Sequence, residues 1–368
     1  MRILYDGQIY TFQVAGGISR YFANLIEGLP ENFMPCLTTL SNYHKHKITY
    51  PVHPNLRIFQ YKRFGFRPGR LSYWLEKYYF EAISVLNKFD VAHPTYYSLL
   101  SRQEIDNYRC PVVITVHDML HELFPTKFEL HDNSAAAKEK AILKAQAIIC
   151  VSQNTKKDLL QMYSIPEDKI TVIYHGSDIN ASKSYGDEPV PSCPYYLYVG
   201  SRSSYKNFDG LLSAFAKAVS VVPEIALCVA GLPFNDAETK LIEDLNLTNH
   251  IIQYSYVTDR HLAKLYRCSI ALVYPSLYEG FGIPPLEAMS CRTAVIASNT
   301  SSIPEVVGDA GLLFNPSSTN DLVDMLLLLL NCPTERDRLI EKGYQRAKLF
   351  SWENTVAQTV ELYRSLCN

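Results

Sequence analysis

Short apolar runs alternate with helical periodicity along the whole chain. In the first half the runs are residues 2–5 (RILY), 91–93 (VAH), 112–116 (VVITV), 147–151 (AIICV) and 170–174 (ITVIY). Each reads as a short strand candidate. A helix is expected over residues 18–28, with Ile18, Phe22, Leu25 and Ile26 on one face. Residues 180–194 (NASKSYGDEPVPSCP) break the pattern with the Ser, Gly, Pro and charge mixture of a linker. The alternation then restarts at 195–199 (YYLYV), 225–230 (IALCVA), 250–254 (HIIQY), 270–274 (IALVY), 293–297 (TAVIA) and 310–314 (AGLLF). Strand–helix alternation on both sides of a linker predicts an α/β protein of two doubly wound parallel sheets facing a cleft. The expected domains are residues 1–185 and 190–349.

Composition narrows the class. The 368 residues are 47% hydrophobic and 20% charged, as in a soluble globular protein. A net charge of −2 and a pI near 6.6 give no reason to expect nucleic-acid binding. No stretch reaches the ~20 apolar residues that span a bilayer; the longest run, 325–330 (MLLLLL), reads as a core helix. The opening MRILYDGQ turns polar too early for a signal peptide. Nine scattered cysteines, several within apolar runs (Cys150, Cys228), are expected as buried thiols of a reducing cytoplasm.

The candidate chemistry lies where strands end. Residues 274–289 (YPSLYEGFGIPPLEAM) carry Glu279 and Glu287 with two glycines and two prolines between them. Proline belongs in the first turn of a helix and not inside it, so the stretch reads as strand, tight loop, and a helix opening near Pro284. That sets Glu279 at the carboxyl end of a strand and Glu287 early in the next helix, where open α/β sheets bind ligands. At 198–207 (YVGSRSSYKN), Arg202 and Lys206 precede a helix that Asn207 can cap. Two cations at the positive end of a helix conflict with its dipole unless an anionic ligand lies between them. Gly16 and Gly17 also precede a helix; they would let backbone N–H groups approach a phosphate or a sugar, and equally suit a plain turn. The dinucleotide spacing G-x-G-x-x-G is missing, which disfavours hydride transfer.

Taken in order, these segments resemble glycosyltransferase family 4, retaining nucleotide-sugar-dependent enzymes of the GT-B fold. The resemblance runs through residues 15–25 (AGGISRYFANL), 114–118 (ITVHD), 151–159 (VSQNTKKDL), 172–178 (VIYHGSD), 198–207, Glu279-x7-Glu287 and 302–316 (SIPEVVGDAGLLFNP). It ends with residues 350–366, similar to the family's C-terminal helix that crosses back to the first domain, so 350–368 are expected there. Three residues separate Arg202 from Lys206, where four or five are commoner in the family.

The resemblance implies roles. Glu287 accepts hydrogen bonds from the ribose hydroxyls, Glu279 lies near the transferred sugar, and the N–H groups of Gly280, Phe281 and Gly282 bond its hydroxyls. Gly16, Gly17 and Leu286 join the donor contacts. Arg202, Lys206 and helix N-termini stabilise the leaving diphosphate, with no cofactor and no metal. His117 contacts the sugar or its β-phosphate, with a buried structural histidine as the rival reading. Arg20 and Asp118 are acceptor-side candidates, and Arg20 is equally a solvated helix residue. The implied activity moves a hexose from a nucleoside diphosphate sugar, UDP-glucose first and GDP-mannose second, to a saccharide or lipid-linked saccharide. An epimerase, a phosphorylase or a non-catalytic nucleotide-sugar-binding protein are the alternatives.

Residues 1–90 carry 11 Lys and Arg against 6 Asp and Glu. Within 61–79, Lys62, Arg63, Arg67, Arg70 and Lys77 interleave with Phe64, Phe66, Tyr73 and Trp74. This suits peripheral contact with an anionic membrane on its cytoplasmic face. A solvated loop, followed by a helix that sends Leu71, Trp74 and Leu75 into the core, is the other reading.

Overall fold

The computed structural model describes residues 1–12, 16–41, 49–63, 69–124, 134–184 and 186–367. The chain forms two compact units, Met1–His175 with Trp352–Asn368, and Gly176–Ser351.

In the first unit β1 (Arg2–Asp6), β2 (Met34–Ser41), β3 (Arg57–Lys62) and β4 (Val91–Ala92) form a parallel sheet in the order β3-β2-β1-β4. Strands β5 (Val113–Val116), β6 (Ala147–Cys150) and β7 (Ile170–Val172) run parallel in sequence order. A parallel bridge between Ala92 and Val112, with Ala92 N–H donating to Pro111 O at 2.9 Å, joins the two sets. The strand order therefore reverses between β1 and β4, the doubly wound arrangement that places ligands at the carboxyl ends flanking the switch.

Around these strands lie α1 (Ile9–Phe12), α2 (Gly17–Glu27), α3 (Gly69–Leu86), α4 (Leu120–Leu123), α5 (Ser134–Lys144) and α6 (Gln153–Met162). Helix α2 buries Tyr21, Phe22, Leu25 and Ile26, while Ile18 is half-buried. Sequence periodicity passes over β2 and β3. The first carries Pro35, Thr38 and Thr39; the second is an edge strand whose charged and apolar residues alternate without a continuous apolar run.

The second unit contains β8 (Tyr195–Val199), β9 (Ala226–Ala230), β10 (Ile251–Tyr254), β11 (Ala271–Tyr274), β12 (Ala294–Ser298) and β13 (Leu312–Phe314), all parallel, in the order β10-β9-β8-β11-β12-β13. Its switch point lies between β8 and β11. Helices α7 (Phe208–Val221), α8 (Asp236–Asp244), α9 (Asp259–Cys268), α10 (Ile283–Ser290), α11 (Ile303–Val307), α12 (Thr319–Asn331) and α13 (Pro333–Ala347) complete it. Three tyrosines of β8 are buried, and each hydroxyl finds a backbone carbonyl: Tyr195 on Leu265, Tyr196 on Leu326 and Tyr198 on Ser201. Leu326 and Leu329 of the leucine run enter the core, whereas Leu328 stays exposed.

Sequence reading carried the first domain to residue 185. Residues 176–184 instead belong to the second unit: the turn Ala181–Ser184 packs against α9, and Lys264 Nζ donates to Gly186 O at 2.6 Å.

The last helix, α14 (Trp352–Ser365), returns to the first unit. Val356, Val360 and Tyr363 enter the core beside Tyr5, Phe22 and Leu25. Gly28 permits that contact, because a Cβ there would come within 2.7 Å of Val356 Cγ2. Tyr363 OH lies 2.6 Å from His93 Nδ1 and 3.2 Å from Tyr5 OH. All nine cysteines are free thiols, and among the described residues no helix is long and apolar enough to cross a membrane.

Candidate active site

Two loops meet at the switch point of the second unit. The first follows β8: Gly200 takes φ +131°, a conformation that favours glycine, and the loop then carries Arg202 and Lys206. The second follows β11 and carries Glu279. Leu277 N–H donates to Tyr205 O at 2.7 Å, and Lys206 Nζ reaches both Glu279 oxygens, at 2.7 and 2.9 Å. Neither side chain of that pair is much exposed, at 16% and 11%.

The Glu279 loop is braced from residues that sequence reading did not single out. Glu279 N–H donates to Ser301 Oγ at 2.9 Å, and Ser302 Oγ lies 2.8 Å from the carbonyls of both Glu279 and Phe281. Gly282, at φ +111°, turns the chain into α10, whose first turn holds Pro284 and Pro285. Gly280, Phe281 and Gly282 are buried. Glu287 follows on α10 with 5% exposure, and its Oε2 accepts from Tyr266 OH at 2.9 Å. Burial first, and then the Glu287 charge, holds the Tyr266 phenol far above its ordinary range. Leu286 is wholly inside, and its N–H points to Gly282 O within the helix.

Two expectations need correction. Asn207 stands at the N-cap of α7, yet in a left-handed conformation, and its side chain donates to Pro316 O instead of capping. The two cations also do not stand unopposed. Lys206 has Glu279, and Arg202 has Glu238 of α8: Nε to Oε1 is 2.8 Å and Nη2 to Oε2 is 3.0 Å. The protein's own carboxylates therefore resolve the dipole conflict before any ligand arrives.

The remaining candidates lie in the first unit. Gly16 is the extended N-cap of α2, with its N–H donating to Ser19 Oγ at 3.0 Å; Gly17 and Arg20 are exposed. His117 follows β5 directly and is half-buried, edge-on to Tyr21 and stacked with His175. Its Nε2 is shielded from solvent and finds no hydrogen-bond partner among the described residues. Burial, helped by the nearby His93 and the Lys138 charge, pulls the imidazole down to about 3. It is therefore neutral near pH 7, suited to hydrogen bonding and not to donating a proton as an imidazolium.

Asp118 Oδ1 accepts from Leu120 N–H at 3.0 Å and lies 3.9 Å from Lys138 Nζ. Lys138 is almost wholly buried and also pairs with Glu122 at 2.9 Å. A buried lysine on the loop's flank is invisible to motif reading, since α5 shows only an ordinary charged helix.

Residues 15–181 match the model for glycosyltransferase family 4, and residues 187–346 match that for glycosyl transferases group 1. The chain is 32% identical over 237 residues to an O-antigen chain mannosyltransferase B of Escherichia coli, covering 60% of this chain and 61% of that one. It is 31% identical over 222 residues to an MMP α-(1→4)-mannosyltransferase of Mycolicibacterium hassiacum, covering 59% and 53%. The matched stretch thus spans less than two thirds of either relative.

In fold, the chain is similar to a sucrose-phosphate synthase from Thermosynechococcus elongatus, with TM-score 0.78 and 21% identity over 100% of this chain and 99% of that one. It is also similar to Anabaena HepE in complex with UDP-glucose, with TM-score 0.74 and 18% identity over the whole of both chains. Together the two family models account for both units, and the chain belongs to the family 4 glycosyltransferases.

Proposed function

We propose that the protein transfers a hexose from a nucleoside diphosphate sugar to a saccharide or lipid-linked saccharide, with retention at the anomeric carbon. The observation that carries this reading is the placement of Lys206, Arg202 and the N-terminus of α10 at the β8–β11 switch point. Breaking the bond from anomeric carbon to phosphate leaves negative charge on the nucleoside diphosphate. Cations and a helix end at that point stabilise the charge, and no metal is required in this scheme. Glu279, held by Lys206, is the group for the sugar, and Glu287 for the ribose; ionised carboxylates suit vicinal hydroxyls. His117, neutral, contacts the sugar by hydrogen bonding.

The two relatives described above are both named mannosyltransferases, which favours mannose over glucose as the transferred sugar. A thermal-shift screen against UDP, GDP, UDP-glucose and GDP-mannose tests the reading. A ligand at 100 times its Kd should add ~2.7 kcal/mol of stability. Stabilisation by none of the four would overturn the assignment.

The acceptor is met at a membrane surface in this reading. On α3, Leu71, Trp74, Leu75 and Tyr78 recur at i, i+3, i+4 and i+7, and all four are exposed, Leu71 at 51% and Trp74 at 54%. The alternative that placed Leu71, Trp74 and Leu75 in the core does not hold; Ser72, Glu76, Phe80 and Ile83 occupy the buried face. Lys62 is exposed beside this stripe in sequence, while Arg63 is tied to Glu76. Phe64, Phe66 and Arg67 lie outside the described residues, as does the side chain of Arg70. An apolar stripe in a basic stretch fits the interface of an anionic bilayer.

A further inference from the structure

Arg202 is the cation assigned above to the leaving diphosphate, yet nothing of its guanidinium is offered to a ligand. Its side chain is only 5% exposed. Nε and Nη2 are taken by the two oxygens of Glu238, and Nη2 also donates to Pro233 O at 2.9 Å. One face of the group lies 4.8 Å from the centre of the Phe234 ring. Nη1 is shielded from solvent and finds no hydrogen-bond partner among the described residues. It is pressed toward the ends of β8 and β9, where a Cβ on Gly231 would stand 3.1 Å from Nη1 and 2.6 Å from Gly200 O. A buried donor left unpaired is costly, so this position satisfies the arginine incompletely.

Glu238 has a local duty that does not account for the pair. As the third residue of α8 it accepts Asn235 N–H at 2.9 Å, while Asn235 Oδ1 accepts Glu238 N–H at 2.9 Å, a reciprocal cap. The cap fixes the carboxylate in space. Its bidentate grip on Arg202 then fixes the arginine in turn.

We propose that Glu238 is a positioning residue acting through Arg202: it latches the guanidinium in a stowed position, and donor binding exchanges this carboxylate for a diphosphate. The inference rests on the assignment of Arg202 to the diphosphate. In the stowed state the site presents fewer cations than its sequence implies, and the nucleotide must compete with Glu238 for the same N–H groups. That competition lowers apparent affinity by the fraction of molecules in which Arg202 is released. The exchange also supplies Nη1 with the partner it lacks. Between turnovers the same carboxylate reclaims the arginine and helps expel the nucleoside diphosphate product.

Calorimetry with UDP and GDP on wild type, Glu238→Gln and Arg202→Ala tests the latch, alongside steady-state kinetics. Glutamine keeps the helix cap but not the charge. For whichever nucleotide binds the wild type, Glu238→Gln is expected to bind it about 5- to 20-fold more tightly, as removal of a competing closed state requires. Donor KM should fall with it, and kcat should fall as well through slower product release, a split that mere loss of stability does not produce. Arg202→Ala should bind the nucleotide at least about ten-fold more weakly. If Glu238→Gln binds no better than wild type while Arg202→Ala binds worse, the latch is wrong and the assignment of Arg202 stands. Unchanged affinity in Arg202→Ala overturns that assignment, and the latch with it. Should Glu238→Gln fail to fold, Phe234→Leu, which loosens the stacked ring, is expected to tighten binding in the same direction, and unchanged or weaker binding there refutes the latch.

Discussion

Replacing Lys206 by methionine removes an ammonium while keeping most of the side-chain volume. In the resting site that ammonium bridges both Glu279 oxygens, and both groups are largely shielded from water. The departing diphosphate would lose one preorganised donor, worth ~3–4 kcal/mol of barrier. The ratio kcat/KM should therefore fall by at least about 100-fold. Glu279 would also become an unbalanced anion facing an anionic donor. At an effective dielectric near 20, two unit charges ~4 Å apart interact by about 4 kcal/mol, so weakened binding should contribute to the loss. Adding Glu279→Gln removes that repulsion. The double mutant should then bind free nucleoside diphosphate more tightly than Lys206→Met alone, although its turnover stays low. Calorimetry and steady-state kinetics read the two effects separately. Near wild-type turnover in Lys206→Met, or a double mutant that binds no better than the single one, would refute the charge argument.

Glu287→Ala should weaken binding of nucleotide with or without its sugar, whereas Glu279→Ala should weaken sugar-nucleotide binding more than free nucleotide; normal nucleotide binding by Glu287→Ala excludes the ribose role. Activity should survive excess EDTA, because Lys206, Arg202 and α10 supply the positive charge; complete loss restored by Mg²⁺ or Mn²⁺ would contradict this. Acid should destabilise the protein below about pH 6.5. His93 and His117 are held at about 3 by burial, and His175 well below its ordinary range by the same cause, so the unfolded chain takes up three protons that the native state refuses. Asp6, pushed by burial up to about 7, works oppositely between roughly pH 7 and 4. The net of two protons amounts to roughly 3 kcal/mol per pH unit once the unfolded histidines are charged; urea denaturation at pH 6.5 and 5 measures the fall, and flat or rising stability toward pH 5 contradicts it. Finally, replacing Leu71, Trp74 and Leu75 with serine should abolish flotation with anionic liposomes, and unchanged flotation removes α3 as the contact.

What could be read from sequence follows the reach of the forces involved. The continuous apolar strands and the loops at their ends were legible because burial on both sheet faces demands unbroken apolar runs, and glycine and proline mark the turns. Edge strand β3 escaped because most of it faces water. Side chains that meet across long separations escaped altogether. Asn235-x-x-Glu238 reads as a helix cap, and nothing local shows that the same carboxylate holds Arg202, 36 positions earlier. Ser301 and Ser302, which brace the Glu279 loop, look like an ordinary turn before α11. The mixture of basic and aromatic residues leading into α3 was legible, but which face of that helix meets the core depended on neighbours that periodicity does not name.

The return of α14 to the first unit has a consequence for how the protein is made. Gly176–Ser351 intervenes between the first unit's main segment and the helix that completes its core. At ~5–20 residues per second, a ribosome needs roughly 10 to 35 s to add that stretch. Throughout that interval the nascent first unit lacks Val356, Val360 and Tyr363, leaving Phe22, Leu25 and the imidazole of His93 without their cover. The second unit, contiguous in sequence, can finish folding before the first. A nascent chain arrested just short of Trp352 should therefore carry a sticky, chaperone-binding first unit beside a protease-resistant second one.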